Sequence, residues 1–179
     1  IKFCFICGKH HQQVVDFQNS ALQHVASHDA DLPLPRVISN IQGETHGSVE
    51  KDGRSHFVRV LSWLDGDILG DVGVSAELRY RLGRLLARLG LALEHFNHPG
   101  SNPPLLWDMK RAAGLRDLLI HIEDPGLNQL VRQTLDTFDS SVKPLLDTLR
   151  AQVIHNDMNP GNVLVDRAHT DQISGLIDF

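Results

Sequence analysis

Three segments within the first 65 residues pattern as strands: Ile1–Ile6, Arg36–Ile41 and His56–Leu64. Between the first two, Val14, Phe17, Ala21, Leu22 and Val25 recur three and four residues apart, which predicts an amphipathic helix. It is expected to end in His28-Asp29-Ala30-Asp31, after which Pro33 and Pro35 force an extended path. Gly/Glu/Lys/Asp-rich material between the second and third strands is expected to form a turn.

From about Leu64 the pattern changes to helical. Asp65-Gly66-Asp67 marks a turn, and Ser75 is a candidate N-cap with Glu77 in the first turn behind it. Leu78, Leu82, Leu85, Leu86, Leu89, Leu93 and Phe96 follow at helical spacing, with Arg79, Arg81, Arg84 and Arg88 on the other side. An amphipathic helix with one buried stripe and a solvated charged face accounts for this better than a basic or zipper-like helix. Asn97-His98-Pro99-Gly100 ends it.

Helical patterns return near Met109–Ile122 and Leu127–Phe138, separated by Asp124-Pro125-Gly126. The last forty or so residues switch back to strands. Gln152–Ile154 is predicted as one, and Asn162–Val165 and Gln172–Ile177 bracket the polar stretch Asp166–Asp171 as a hairpin would. The mixture predicts an α+β fold, without internal repeats.

Composition narrows the function classes. Apolar content of 41% and charged content of 22% suit a globular domain, and a formal charge of −5 offers no basic field for nucleic acid. No apolar run reaches the roughly 18 residues of a membrane span. No basic-then-apolar leader can be read, and two cysteines suit a reducing compartment, so the expected location is cytoplasmic. Both ends fall inside apolar runs and are expected to continue into a longer chain. Cys4 and Cys7 form a lone C-x-x-C, with His10 and His11 nearby. A metal or redox role competes there with the plainer reading of buried thiols, since strand positions three apart face opposite sides of a sheet.

The chemistry concentrates near residue 155. A short strand is predicted to deliver His155 and Asp157 into a loop that Pro160 and Gly161 keep from becoming helix. Asn162 opens the next strand, and Asp178 ends the strand after it, so three oxygen-bearing side chains are expected at one rim. Hard oxygen donors suit Mg²⁺ together with substrate phosphates. The order H-x-D-x-x-x-x-N, an apolar strand and then D-F is the catalytic-loop and metal-aspartate pattern of kinases. In that frame Asp157 receives or orients the acceptor hydroxyl proton, Asn162 and Asp178 hold metal, and His155 props the loop. A carboxylate-metal hydrolase would need more clustered ligands.

The run Val153–Val165 resembles the catalytic loop of the aminoglycoside phosphotransferase family, and Ile173–Phe179 resembles that family's metal-binding strand. The wording is most similar to the hydroxylysine-kinase-like branch. Asp16–Asn19, Leu34–Val37, Val58–Leu64, Phe96–Pro99 and Leu106–Asp108 also fit that branch. The resemblance implies a protein-kinase-like two-lobed fold, incomplete at both ends. Residues 1–64 would be a partial nucleotide-binding lobe of sheet plus helix. Residues 65–179 would be a partial, mostly helical lobe with the catalytic hairpin. Leu61–Leu64 would be the hinge, its Ser62, Trp63 and Leu64 meeting the purine of ATP or GTP. Lys2 would anchor phosphate, with Lys9 as an alternative and a plain strand-edge lysine as the other reading. Gln18, sixteen residues after Lys2, stands where kinases usually carry a glutamate.

The implied activity is transfer of the terminal phosphate of ATP or GTP, with Mg²⁺, to a hydroxyl of a small, amine-bearing metabolite. Asp108 is a candidate attractor for a cationic substrate, or a helix cap. The branch includes kinase domains fused to pyridoxal-phosphate-dependent aminotransferases, so such a fusion is an expected arrangement. Residues 1–179 alone are expected to be inactive. The alternative is a non-catalytic nucleotide-binding or scaffolding domain of a larger fused aminotransferase protein.

Overall fold

The structure is a computed structural model that describes the backbone of residues 2–7, 11–103, 105 and 108–179, and the side chains of residues 12–103, 105 and 108–179. The side chains of Lys2, Cys4 and Cys7, and residues Lys9, His10, Leu106 and Trp107, lie outside the described residues. The chain divides into two compact units: Ile1–Ser101 with Gln152–Phe179, and Asn102–Ala151.

The first unit holds two sheets and two long helices. Strand β1 (Lys2–Cys7) pairs antiparallel with β4 (Arg54–Leu61), Lys2 opposite Leu61 and Cys7 opposite His56. On the other edge of β4, β3 (Gly47–Lys51) covers residues 54–58, and β2 (Val37–Ile38) covers Val60 and Leu61. The second strand is shorter than the expected Arg36–Ile41. Asn40 turns the chain: its amide donates to the Glu44 carbonyl at 2.9 Å, and Gly43 follows at φ 84°. Strand β3 occupies what was expected to be turn material. Its hairpin with β4 closes on Asp52 and Gly53, at φ 52° and 70°, the positive-φ pair of a two-residue hairpin turn.

Helix α1 (His11–His28) buries Val15, Asn19, Ala21, Leu22 and Val25. The stripe is shifted from the predicted one: Val15, at 1% exposure, replaces Val14 as its first member. Helix α2 (Ala76–Ala92) starts at Ser75, whose side chain accepts from the Leu78 amide at 3.0 Å. Leu78, Leu85, Leu89 and Ala92 are buried, whereas Leu86 faces solvent at 51% exposure. Truncating a fully buried leucine such as Leu89 to alanine costs about 2–5 kcal/mol. These side chains join Leu32, Leu34, Leu61, Val163, Val165 and Leu176 in one core. Asp29 ties the end of α1 to α2 by a paired bond with Arg88, at 2.9 and 2.6 Å.

The second sheet runs β5 (Asp67–Ile68), β6 (Val163–Val165), β7 (Ile173–Leu176), all antiparallel. The β6–β7 hairpin forms as the polar stretch between its strands predicts. Gln152–Ile154, however, is not a strand. Strand β6 already has β5 on one side and β7 on the other, which leaves no edge beside it. The segment is tethered instead by the Gln152 side chain, which donates to the Gly90 carbonyl at 2.8 Å.

The second unit contains a 3₁₀ helix, Met109–His121, in place of the expected α-helix. Helix α3 (Pro125–Thr137) follows, capped by Asp124 and opened by Pro125. A π-type turn, Phe138–Val142, and the short helix α4 (Lys143–Leu146) complete it. Arg116 pairs with Asp139 at 2.7 Å and Asp136 at 2.8 Å. Asp108 caps the 3₁₀ helix, accepting from the Lys110 amide at 3.0 Å. Among the described residues no helix is long and apolar enough to cross a membrane.

Candidate active site

The irregular loop from His155 to Asn162 is held by its own side chains. Asn162 Nδ2 donates to the Asp157 carbonyl at 2.8 Å and to Asp157 Oδ2 at 3.1 Å. Asn159 Nδ2 donates to the other carboxylate oxygen of Asp157 at 2.8 Å, and Asn159 Oδ1 accepts from the Gly161 amide at 2.7 Å. Two amides thus fix the carboxylate plane of Asp157, and the loop needs no regular structure to hold it. Asn156 sits at φ 63°, a left-handed conformation that asparagine tolerates better than most residues.

His155 joins this loop to the segment that follows β7 and carries Asp178. Its Nε2 lies 3.1 Å from the Ile177 carbonyl, and its Nδ1 lies 3.3 Å from the Asp157 amide. A carbonyl accepts and an amide donates, so the ring is the neutral tautomer with the proton on Nε2. Burial pushes its pKa below the usual histidine value; the Ile177 carbonyl and the carboxylates of Asp157 and Asp178 oppose that shift. The Phe179 ring meets the imidazole edge-on, 4.6 Å between centroids. His155 therefore links the loop to the segment after β7 through both ring nitrogens.

Asp178 follows β7 at φ 74°, a strained conformation for a non-glycine residue. The Ile177 amide before it donates to the Asn162 carbonyl at 2.9 Å, which sets the metal-candidate strand against the loop. The Asp178 carboxylate is exposed and makes no hydrogen bond among the described residues. Asn162 commits its amide nitrogen to Asp157, which leaves its Oδ1 available to a cation. Among the described residues no three His, Cys, Asp or Glu side chains cluster as a metal site. One carboxylate and one amide oxygen nevertheless fit Mg²⁺, which completes its shell with phosphate and water.

Asp178 also lines a cavity of about 360 Å³, walled by Pro35, Leu61, Leu164 and Ile177 and rimmed by Ser62, Trp63 and Leu64. Ser62 is clamped to Arg36: its amide donates to the Arg36 carbonyl at 2.9 Å, and its hydroxyl accepts from the Arg36 amide at 2.8 Å. The main-chain groups of Leu64 carry no hydrogen bond among the described residues, and the cavity it lines is mostly apolar, with Arg59, Ser62 and Asp178 as its polar lining. Gly66 closes one wall at φ 153°, where a β-carbon would lie 2.6 Å from the Val165 carbonyl and overlap Ser174 Oγ.

The structure thus brings His155, Asp157, Asn162 and Asp178 together, with Ser62, Trp63 and Leu64 around the adjoining cavity. Gln18 is not among the cavity's lining residues, and its Oε1 is buried without a hydrogen-bond partner. Its neighbour Asn19 is the polar residue of α1 that reaches this region, through Arg59 Nη1 at 3.2 Å. Sequence reasoning passed over Arg59, although a charged residue at an inward position of Phe57-Val58-Arg59-Val60-Leu61 is itself a signal.

A family model described as "Phosphotransferase enzyme family" matches residues 6–179. The chain belongs to the phosphotransferase enzyme family. Among curated proteins the chain is similar to hydroxylysine kinases. The mouse protein is 26% identical over 181 residues, covering 93% of this chain and 48% of the relative, and the bovine one is 29% identical over 152 residues, covering 79% and 40%. The chain therefore spans about half the length, or less, of these relatives. Among solved structures it is similar to one titled "Structure of the GDP and kanamycin complex of APH(2")-IIia", at TM-score 0.55 and 20% identity, covering 98% of this chain and 60% of the other. That likeness bears out the α+β, protein-kinase-like fold expected from the sequence.

Proposed function

We propose that this phosphotransferase family member moves the terminal phosphate of ATP or GTP to a hydroxyl of a small, amine-bearing metabolite of the hydroxylysine type. The observation that carries the reading is the cross-linked pair Asp157–Asn162, bonded through Asn162 and Ile177 to the segment that bears Asp178, beside the cavity that Asp178 lines. In this reading residues 1–64 supply the nucleotide-binding part and residues 65–179 the catalytic part.

Each side chain has a role that its surroundings support. Asp157, oriented by two amides, receives or aligns the proton of the acceptor hydroxyl. Asn162 and Asp178 would hold Mg²⁺, which when bound neutralises charge on the donor phosphates. Ser62, Trp63 and Leu64 border the purine, with Leu64 offering main-chain groups to its edge. Lys2 and Gln18 are the proposed phosphate-side pair. His155, kept neutral, holds the loop against the metal strand. Little covalent chemistry falls to the protein; positioning and electrostatics carry the rate. In the full-length protein the same unit can stand beside a pyridoxal-phosphate-dependent aminotransferase domain, and a cytoplasmic location fits a small-metabolite kinase.

Thermal stabilisation of the full-length protein by nucleotide with Mg²⁺ tests this. A ligand at about 100 times its Kd adds roughly 2.7 kcal/mol of stability. Wild type is expected to gain this with MgATP or MgGTP, and Asp178→Ala to lose most of the gain that depends on Mg²⁺. If neither protein responds to nucleotide, the kinase reading has no basis. Nucleotide binding without phosphate transfer to any amino alcohol supports the scaffolding alternative.

A further inference from the structure

We propose that Arg59 is a positioning residue for Asp178, acting through the backbone of Phe179 and anchored by Asn19 of helix α1. Arg59 lies on β4 with only 5% of its surface exposed, two positions before Leu61 and on the same face of the strand. Its Nη1 donates to Asn19 Oδ1 at 3.2 Å and its Nη2 to the Phe179 carbonyl at 2.8 Å. Asn19 is itself 1% exposed, and its Nδ2 donates to the Thr45 carbonyl at 3.1 Å. That second bond settles the amide's orientation, so its oxygen faces Arg59.

The consequence falls on Asp178. A non-glycine residue at φ 74° persists only when its neighbours over-determine it. On the preceding side, His155 donates to the Ile177 carbonyl, and the Ile177 amide donates to Asn162. On the following side, Arg59 takes the Phe179 carbonyl. The carbonyls of the two residues that flank Asp178 are thus held by a half-buried imidazole and a buried guanidinium. A planar guanidinium reaches two partners at once in a fixed fork; a lysine ammonium on its flexible stem does not reproduce that. Any displacement of α1 is passed by Asn19 and Arg59 to the backbone of the proposed metal ligand.

The link to metal binding rests on the role proposed for Asp178; the backbone clamp does not. Hydrogen exchange of the nucleotide-free protein therefore comes first. In Arg59→Met, amides of residues 173–179 are expected to exchange about tenfold faster, with α2 as protected as in wild type. Unchanged exchange over 173–179 in a folded Arg59→Met overturns the proposal; if α2 loses protection in that variant, the same comparison on Arg59→Lys decides.

The second arm is nucleotide titration with and without Mg²⁺. Arg59 also lines the cavity, so the quantity read is the ratio of the two affinities: Arg59→Met is expected to lose an enhancement of about tenfold conferred by Mg²⁺, whatever the metal-free affinity. Retention of the full enhancement removes the positioning role while leaving the kinase reading intact. A wild type that binds no nucleotide removes the kinase reading, and the exchange result then stands alone in deciding on Arg59.

Discussion

Asn162 Nδ2 bonds Asp157 twice, at the main-chain carbonyl (2.8 Å) and at the carboxylate (3.1 Å), so the amide and the acid five residues before it form one unit. Removing a positioned general base typically costs roughly 10²–10⁴-fold in rate. Asp157→Ala is expected to fall in that range in kcat, with nucleotide affinity little changed. Asn162→Leu is expected to fall comparably, because it frees the carboxylate and removes a metal donor. The double variant should be no worse than the poorer single one, since residues acting as a unit are not additive. Fully additive losses in kcat/KM would show that the two act independently.

The neutral tautomer of His155 makes stability depend on pH. Its folded pKa is lowered from 6.5, chiefly by burial, so below about pH 6.5 the unfolded chain takes up the proton more readily than the folded one. The stability tied to the neutral ring is complete above that value and is lost as pH falls through the lower folded pKa. Thermal unfolding of wild type should therefore drop more steeply from about pH 7 to pH 5 than that of His155→Gln, which lacks the titration. His24, whose pKa burial also lowers, is present in both proteins and cancels in the comparison. Parallel curves would exclude His155 as the source.

Gly66 is required by two contacts of unequal stiffness. A β-carbon there meets the Ser174 hydroxyl, which can rotate, and the Val165 carbonyl at 2.6 Å, which cannot. Gly66→Ala is expected to lose about 2–4 kcal/mol in urea unfolding, from strain at positive φ and from the clash. In a Ser174→Gly background only part of that loss should be recovered, because the carbonyl remains. Full recovery would mean that the side chain alone forbids the alanine.

How far the sequence could be read depends on the range of each contact. The β6–β7 hairpin and the caps at Ser75 and Asp124 arise from neighbours in sequence, so local patterns suffice for them. The loop from His155 to Asn162 was legible for the same reason: its bonds span five residues or fewer. Asp52-Gly53 is an equally local hairpin signal that charge-rich surroundings obscured. Arg59 is different. Its partners lie 40 and 120 residues away, and no periodicity shows that a guanidinium on β4 will meet Asn19 and Phe179. The overpredicted strand at Gln152–Ile154 fails on the same ground. Apolar alternation cannot reveal that both edges of β6 are already occupied.

Trp63 offers a direct optical test of the cavity. It lines the cavity with 63% of its surface exposed, and the chain carries only one other tryptophan, Trp107. A purine entering between this rim and the wall formed by Leu164 and Ile177 desolvates the indole and brings its π-face against a base. Base–aromatic stacking is worth about 1–3 kcal/mol by alanine substitution. Trp63→Ala is therefore expected to weaken nucleotide binding by about tenfold, and Trp63→Phe, which keeps an aromatic face, by about threefold or less. Nucleotide should change the emission of wild type, and Trp63→Phe should bind by calorimetry without that change. If the emission response survives in Trp63→Phe, the nucleotide reports through Trp107. The cavity beside Asp178 would then not be where the base sits.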